Sequence, residues 1–229
     1  MVQSIVMLEE VSKLIDSRET AGSLEKAIEL LEKLKAENPE KDIIRGKLSS
    51  AFFYKGLFSP EGTREREDAF DNGVKYGQEA ITLNPRAVYG NFWYASNLGY
   101  LGMCRGALAS LASIDPFKKS MEVVLKENEN FYFGGPHRAI GRLYHQAPGW
   151  PISIGNKNKA FEHLEKCVQL APNFMNNRLY LAELLIDMGK KDKALEHLNF
   201  CKDTALNPGH EKEDGVYKEQ AEKLLKRIS

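Results

Sequence analysis

GNKNKAFEHLEKC (155–167) and GKKDKALEHLNFC (189–201) are one motif written twice, 34 residues apart. Alanine, leucine and cysteine recur in each copy at 160, 164 and 167 and again at 194, 198 and 201. Steps of four and three place these residues on one face of a helix. Self-similarity at this period marks a stack of helix–turn–helix units, each burying its apolar face against the next. The fold class that follows is all-α.

The second copy also shows the internal spacing of a tetratricopeptide repeat. Ala182 is the small residue of the first helix, Gly189 the turn, and Ala194, Leu198 and Cys201 the inner face of the second. Small residues belong where paired helices cross, because larger ones push the axes apart. The same template predicts second helices at 26–39, 73–85, 117–130 and 159–173, and first helices at about 42–57, 91–102, 136–146 and 176–189. A weaker first member lies near 4–17. About five divergent pairs over 1–208, closed by a polar capping helix over 209–229, give one right-handed α-solenoid domain of about 11 helices.

The distance between the small residues of paired helices is 12 in the last repeat, but 19 from Gly141 to Ala160 and 22 both from Ala95 to Phe117 and from Ala51 to Gly73. About 7 to 10 extra residues are therefore expected in three turns: 56–67, 103–114 and the PGWPISI segment after the third first-helix. Long turns in a compact stack point to a rim or lid over the concave face.

Thirty-two basic residues balance 32 acidic ones, so the whole chain has no electrostatic reason to seek nucleic acid or an anionic membrane. A basic surface could exist only as a local patch. No apolar run is long enough for a membrane span. The start carries Glu9 and Glu10 and does not read as a signal peptide, so the chain as written is expected in the cytoplasm unless a leader was removed.

Three cysteines without a C-x-x-C pair give no disulfide framework. His163 with Cys167, and His197 with Cys201, have the spacing of two metal ligands, but the repeat explains both without metal or cofactor. No nucleophile elbow, P-loop or zinc-protease motif is present, and a non-enzymatic protein is expected.

Candidate ligand contacts come from the inner face of the first helices, where Leu48, Phe52, Phe92, Ser96, Arg138, Arg142, Leu179 and Glu183 are expected. Trp93, Tyr132, His137, Tyr144 and Trp150 stand close by, and the backbone of Gly134 and Gly135 before Pro136 could receive an anion at a helix start. Two guanidinium groups four residues apart beside aromatic surface suit a small apolar or carboxylated organic ligand. Pairing of the arginines with Glu183, and aromatics in the core, is the ordinary alternative.

The segment FGGPHRAIGRLYHQAPGWPISIGNKNKAFEHLEKCVQLAP (133–172) resembles the T-component family of tripartite ATP-independent periplasmic (TRAP) transporters. The matching positions are Gly134, Gly135, Pro136, Arg138, Gly141 and Trp150. The resemblance implies a periplasmic lipoprotein, often trimeric, that associates with a solute-binding P-component and handles a small ligand. A weaker similarity links the chain to the regulator-of-microtubule-dynamics group. The alternative to ligand handling is a protein-interaction adaptor for an extended peptide or partner subunit. The lysines and asparagines of a carboxylate clamp are missing from Phe92, Ser96, Leu179 and Glu183.

Overall fold

The structure is a computed structural model and describes residues 2–228. All regular structure among the described residues is helical, in the order α1 (Val2–Asp16), α2 (Ser23–Glu37), α3 (Asp42–Phe58), α4 (Arg64–Leu83), α5 (Val88–Arg105), α6 (Ala107–Asn128), α7 (Phe131–Gln146), α8 (Lys157–Leu170), α9 (Met175–Asp187), α10 (Lys191–Asp203) and α11 (Glu211–Ile228). The helices gather into two compact units, Met1–Asn128 and Glu129–Ser229. Within each unit sequential helices pair, as a repeat stack requires.

In the first unit, glycines bring helix backbones together. A Cβ on Gly73 of α4 would lie 2.1 Å from Oδ1 of Asn97 on α5, so only glycine leaves room for that amide. Asn97 donates to the Ser49 carbonyl on α3 (3.0 Å) and the Trp93 carbonyl (2.7 Å), while the Ser49 hydroxyl donates to the Gly73 carbonyl (2.7 Å). Three helices are thus tied by one buried polar knot, in which the Asn97 amide nitrogen and the Ser49 hydroxyl find partners that would be costly to lose.

Two expected long turns of this unit are corrected by the structure. The residues of 56–67 lengthen α3 and α4, leaving only 59–63 between them. The Thr63 hydroxyl caps α4 by accepting from Arg66 N (3.3 Å). The extra residues of 103–114 lengthen α5 and α6 to 18 and 22 residues, separated by Gly106 alone. Gly106 has φ 94 and ψ −174, a conformation open to glycine and strained for other residues, so the chain reverses in one step. Helix-favouring Ala107, Leu108 and Ala109 then start α6 ten residues before the expected 117. The lengthened helices bury aromatic side chains between them: Phe53 meets Trp93 at 5.2 Å and Tyr100 at 5.3 Å between ring centroids. Arg105 bridges Glu67 (2.6 Å) and Asp71 (2.9 Å) across the same end.

The second unit keeps the short repeat. Helices α9 and α10 have 13 residues each, and Ala160, Leu164 and Cys167 of α8 and Ala194, Leu198 and Cys201 of α10 are all buried, as the duplicated motif requires. Gly141 of α7 crosses α8 where a Cβ would stand 2.7 Å from Leu164 Cγ. The last helix, α11, packs on α9 and α10 through Ala221. Its start is fixed by Asp214, which accepts from the backbone N and the amide of Asn207 at 2.8 and 2.7 Å. Val216 on α11 is exposed.

Candidate functional site

The start of α7 differs from every other helix. Tyr132, Phe133 and Gly134 run in the left-handed region, with φ of 49, 61 and 69. Two of the three carry side chains, for which this conformation is unfavourable. Arg138 supports the turn. Its Nη1 donates to Asn177 Oδ1 (2.9 Å) and to the carbonyls of Tyr132 and Phe133 (3.4 Å each), while Asn177 donates to the carbonyls of Phe133 (3.0 Å) and Cys167 (2.9 Å). Phe133 stacks on Phe174 at 4.6 Å, and the Arg138 guanidinium lies 4.9 Å over the same ring. A planar guanidinium suits this task because it donates in several directions while covering an aromatic face.

These contacts give several residues of the expected ligand wall partners within the protein. Arg138 is 7% exposed and spends its donors on backbone and Asn177, so it is a positioning residue. Gly134, Gly135 and Pro136 are buried, and a Cβ on Gly134 would stand 3.2 Å from Cys167 Cα. Close packing therefore occupies the helix start where an anion was expected. Leu48, Phe92 and Leu179, at the same register as Arg138, are core residues, and Trp93 belongs to the aromatic cluster of the first unit. Tyr132 lies beside Arg138 (5.8 Å), and Tyr144 is buried against His163 (6.1 Å). His137 meets His163, Nδ1 to Nδ1, at 3.0 Å and Glu129 at 3.3 Å. Trp150 stands in solvent at the tip of the loop 147–156.

Arg142, one turn along α7, does face an opening. It pairs with Glu183 of α9 and stacks on Tyr180 at 4.2 Å. With its amide oriented to satisfy both groups, Gln146 accepts from Nε and Nη2 of Arg142 at 3.1 and 2.9 Å. His145 pairs with Asp187 at 2.9 Å. Arg142, His145, Gln146, Glu183 and Asp187, with Leu224 and Arg227 of α11, line a cleft of about 410 Å³ across α7, α9 and α11, the first helices of successive pairs. Glu183 had been expected on the inner face; His145, Gln146, Asp187 and the α11 residues had not. The signal for His145, Gln146 and Asp187 lay in the step of three to four residues from Arg142 and Glu183, the same face one turn on, whereas the α11 residues had none.

The motif cysteines are not poised for chemistry. Cys167 and Cys201 are fully buried, and burial pushes their thiols up to about 12 and about 11. No helix among the described residues is long and apolar enough to cross a membrane.

Short paired helices with small residues at their crossings, and a polar cleft on the first-helix face, define a tetratricopeptide-like all-α repeat protein. The family described as "Regulator of microtubule dynamics protein 1-3" matches residues 7–133 and 155–229, and the chain belongs to that family. The internal unmatched stretch, 134–154, includes about half of the segment that resembles the TRAP T-component. No curated protein sequence matches the chain. Among solved structures, TTC0263, a thermophilic tetratricopeptide protein of Thermus thermophilus, is similar with a TM-score of 0.68 at 18% identity, covering 95% of this chain and 98% of that one. A MamA structure is similar with a TM-score of 0.54 at 14% identity, covering 90% and 98%. These likenesses carry the fold, and none of the descriptions names a catalytic activity.

Proposed function

We propose that the protein is a protein–protein interaction adaptor, and that the cleft on α7, α9 and α11 receives an extended segment of its partner. The observation that carries this reading is the row of ionisable side chains along the first-helix face: Arg142 with Glu183, His145 with Asp187, and Arg227 beyond them. Such pairs are exchangeable. A partner carboxylate takes the place of Glu183 on the Arg142 fork, and a partner cation takes the place of His145 at Asp187. The cleft is polar, which suits a charged segment of main chain better than an apolar small molecule.

The family description makes tubulin the first partner to test. The T-component resemblance makes a solute-binding protein the second, with the accessory role in solute uptake that follows from it. A photoreactive residue at exposed Gln146 should crosslink to the partner, and Arg142→Glu should abolish the crosslink while helical content is kept. Crosslinking that survives charge reversal at both Arg142 and Glu183 would remove the cleft from the interaction.

A further inference from the structure

The loop 147–156 has a purpose that the cleft does not explain. It is closed on itself by hydrogen bonds from Gly155 N to the Pro148 carbonyl (2.8 Å), from Asn156 N to the Tyr144 carbonyl (2.9 Å), and from Ile152 N and Ser153 N to the Gly149 carbonyl (3.1 and 3.3 Å). A Cβ on Gly155 would stand 2.0 Å from the Ala147 carbonyl oxygen, so the two strands of the loop touch. On this frame Trp150 is 89% exposed and Ile152 72% exposed. Ile154 is partly buried, while Trp150 and Ile152 stand in water on a tightly built loop, an exposed apolar tip of the kind that marks an interaction surface.

The surroundings are basic. Lys157 and Lys159 follow the loop directly, and exposed Lys190, Lys191 and Lys193 lie in the neighbouring α9–α10 turn and the start of α10. Two contacts bring these turns together: Lys157 Nζ donates to the Asp187 carbonyl (2.6 Å), and Lys190 Nζ lies 4.9 Å over the Phe161 ring. The acids at this end are Asp187, already engaged by His145, together with Asp192 and Glu162. Five lysines against three acids leave a positive edge around an apolar tip.

We propose that this edge docks on an anionic lipid surface, with Trp150 and Ile152 entering the interfacial layer and the lysines pairing with lipid phosphates. Two convex side chains bury far less than the roughly 1,200–2,000 Å² of a stable protein interface. A bilayer needs no complementary pocket, and tryptophan favours the headgroup level. Lysines near an anionic surface add attraction that reaches about a Debye length. The family match stops at 133 and resumes at 155, so Trp150 and Ile152 lie outside it while the lysines lie within it.

The protein has two tryptophans, and Trp93 is buried, so a change in emission on adding vesicles reports Trp150. Titration of the intact protein with phosphatidylcholine vesicles containing phosphatidylserine should shift the emission to the blue, shield it from an aqueous quencher and sediment the protein. Pure phosphatidylcholine should bind at least about tenfold more weakly, and added salt should weaken binding to the mixed vesicles. Trp150→Ala with Ile152→Ser, and separately Lys191→Glu with Lys193→Glu, should each weaken co-sedimentation by at least about tenfold with circular dichroism unchanged. The proposal fails if neither vesicle binds, or if both double variants bind as the parent does. A blue shift that grows with protein concentration without lipid, accompanied by dimers in sedimentation, would assign the tip to self-association and overturn it.

Discussion

The join between α5 and α6 and the join between α7 and α8 start from similar surpluses of sequence and end differently. In the first, the extra residues become helix, and Gly106 alone turns the chain. In the second, ten residues stay outside helix, with Pro148, Pro151 and two glycines forming a closed loop. Composition makes the difference: Ala107–Leu108–Ala109 lies in a run that can continue hydrogen bonding along a helix, whereas prolines remove donors and restrict the residue before them. An insertion of given length thus extends paired helices in one place and builds a closed surface loop in another.

The supports of the second region give the largest expected effect. Arg138→Met keeps length and apolar bulk but removes every donor to Tyr132, Phe133 and Asn177. Loss of about 3 kcal/mol of unfolding free energy is expected in urea titration. Full stability in this variant would free Arg138 for the ligand role that the sequence alone suggested. At the α5–α6 join, Gly106→Ala should cost about 2 kcal/mol, because nothing crowds the position and the penalty is backbone strain alone. A negligible cost there would mean that the join relaxes into an ordinary turn.

The duplicated motif at 155–201 was enough to read the all-α class, the pairing and the buried small residues, because period and size complementarity are local properties. The cleft was harder to read. Register counted from the small residue of each first helix, Ala51, Ala95, Gly141 and Ala182, placed Phe52, Ser96, Arg142 and Glu183 on partly accessible positions. It also placed Leu48, Phe92, Arg138 and Leu179 there, and these turn inward. Counting residues along a helix cannot show that a left-handed turn upstream leaves carbonyls for Arg138 to satisfy. The lengthened helices were missed for a related reason: the charges of 64–68 resemble a solvated turn until Thr63 caps them and Arg105 reaches Glu67 and Asp71.

A smaller effect separates the regions by pH. Burial lowers the His137 and His163 pKa values below the ordinary 6.5, and the neighbouring imidazole lowers His163 further, while Glu129 partly offsets the effect at His137. Their folded values lie below the unfolded ones, so protons bind the unfolded chain more readily. Stability in the second unit should be flat above the ordinary value and fall as pH drops from it through the lowered ones. His163→Gln should reduce that slope in urea midpoints taken across the range. His197, lowered chiefly by burial and then by Arg178, should retain a residual slope.

The smallest expected effect lies at the loop tip, where its size is the informative part. Trp150 and Ile152 touch solvent, and the hydrogen bonds that close the loop belong to the backbone around them. Trp150→Ala with Ile152→Ser should therefore change unfolding free energy by less than about 0.5 kcal/mol, as exposed substitutions do. At the other join, Leu108 is comparably exposed, and Leu108→Ser should be equally neutral in urea. A loss of several kcal/mol at the tip, with no loss at Leu108, would mean that Trp150 packs against the protein in solution. The α7–α8 loop would then be packed structure, as the helical α5–α6 join is, and the contrast between the two joins would disappear.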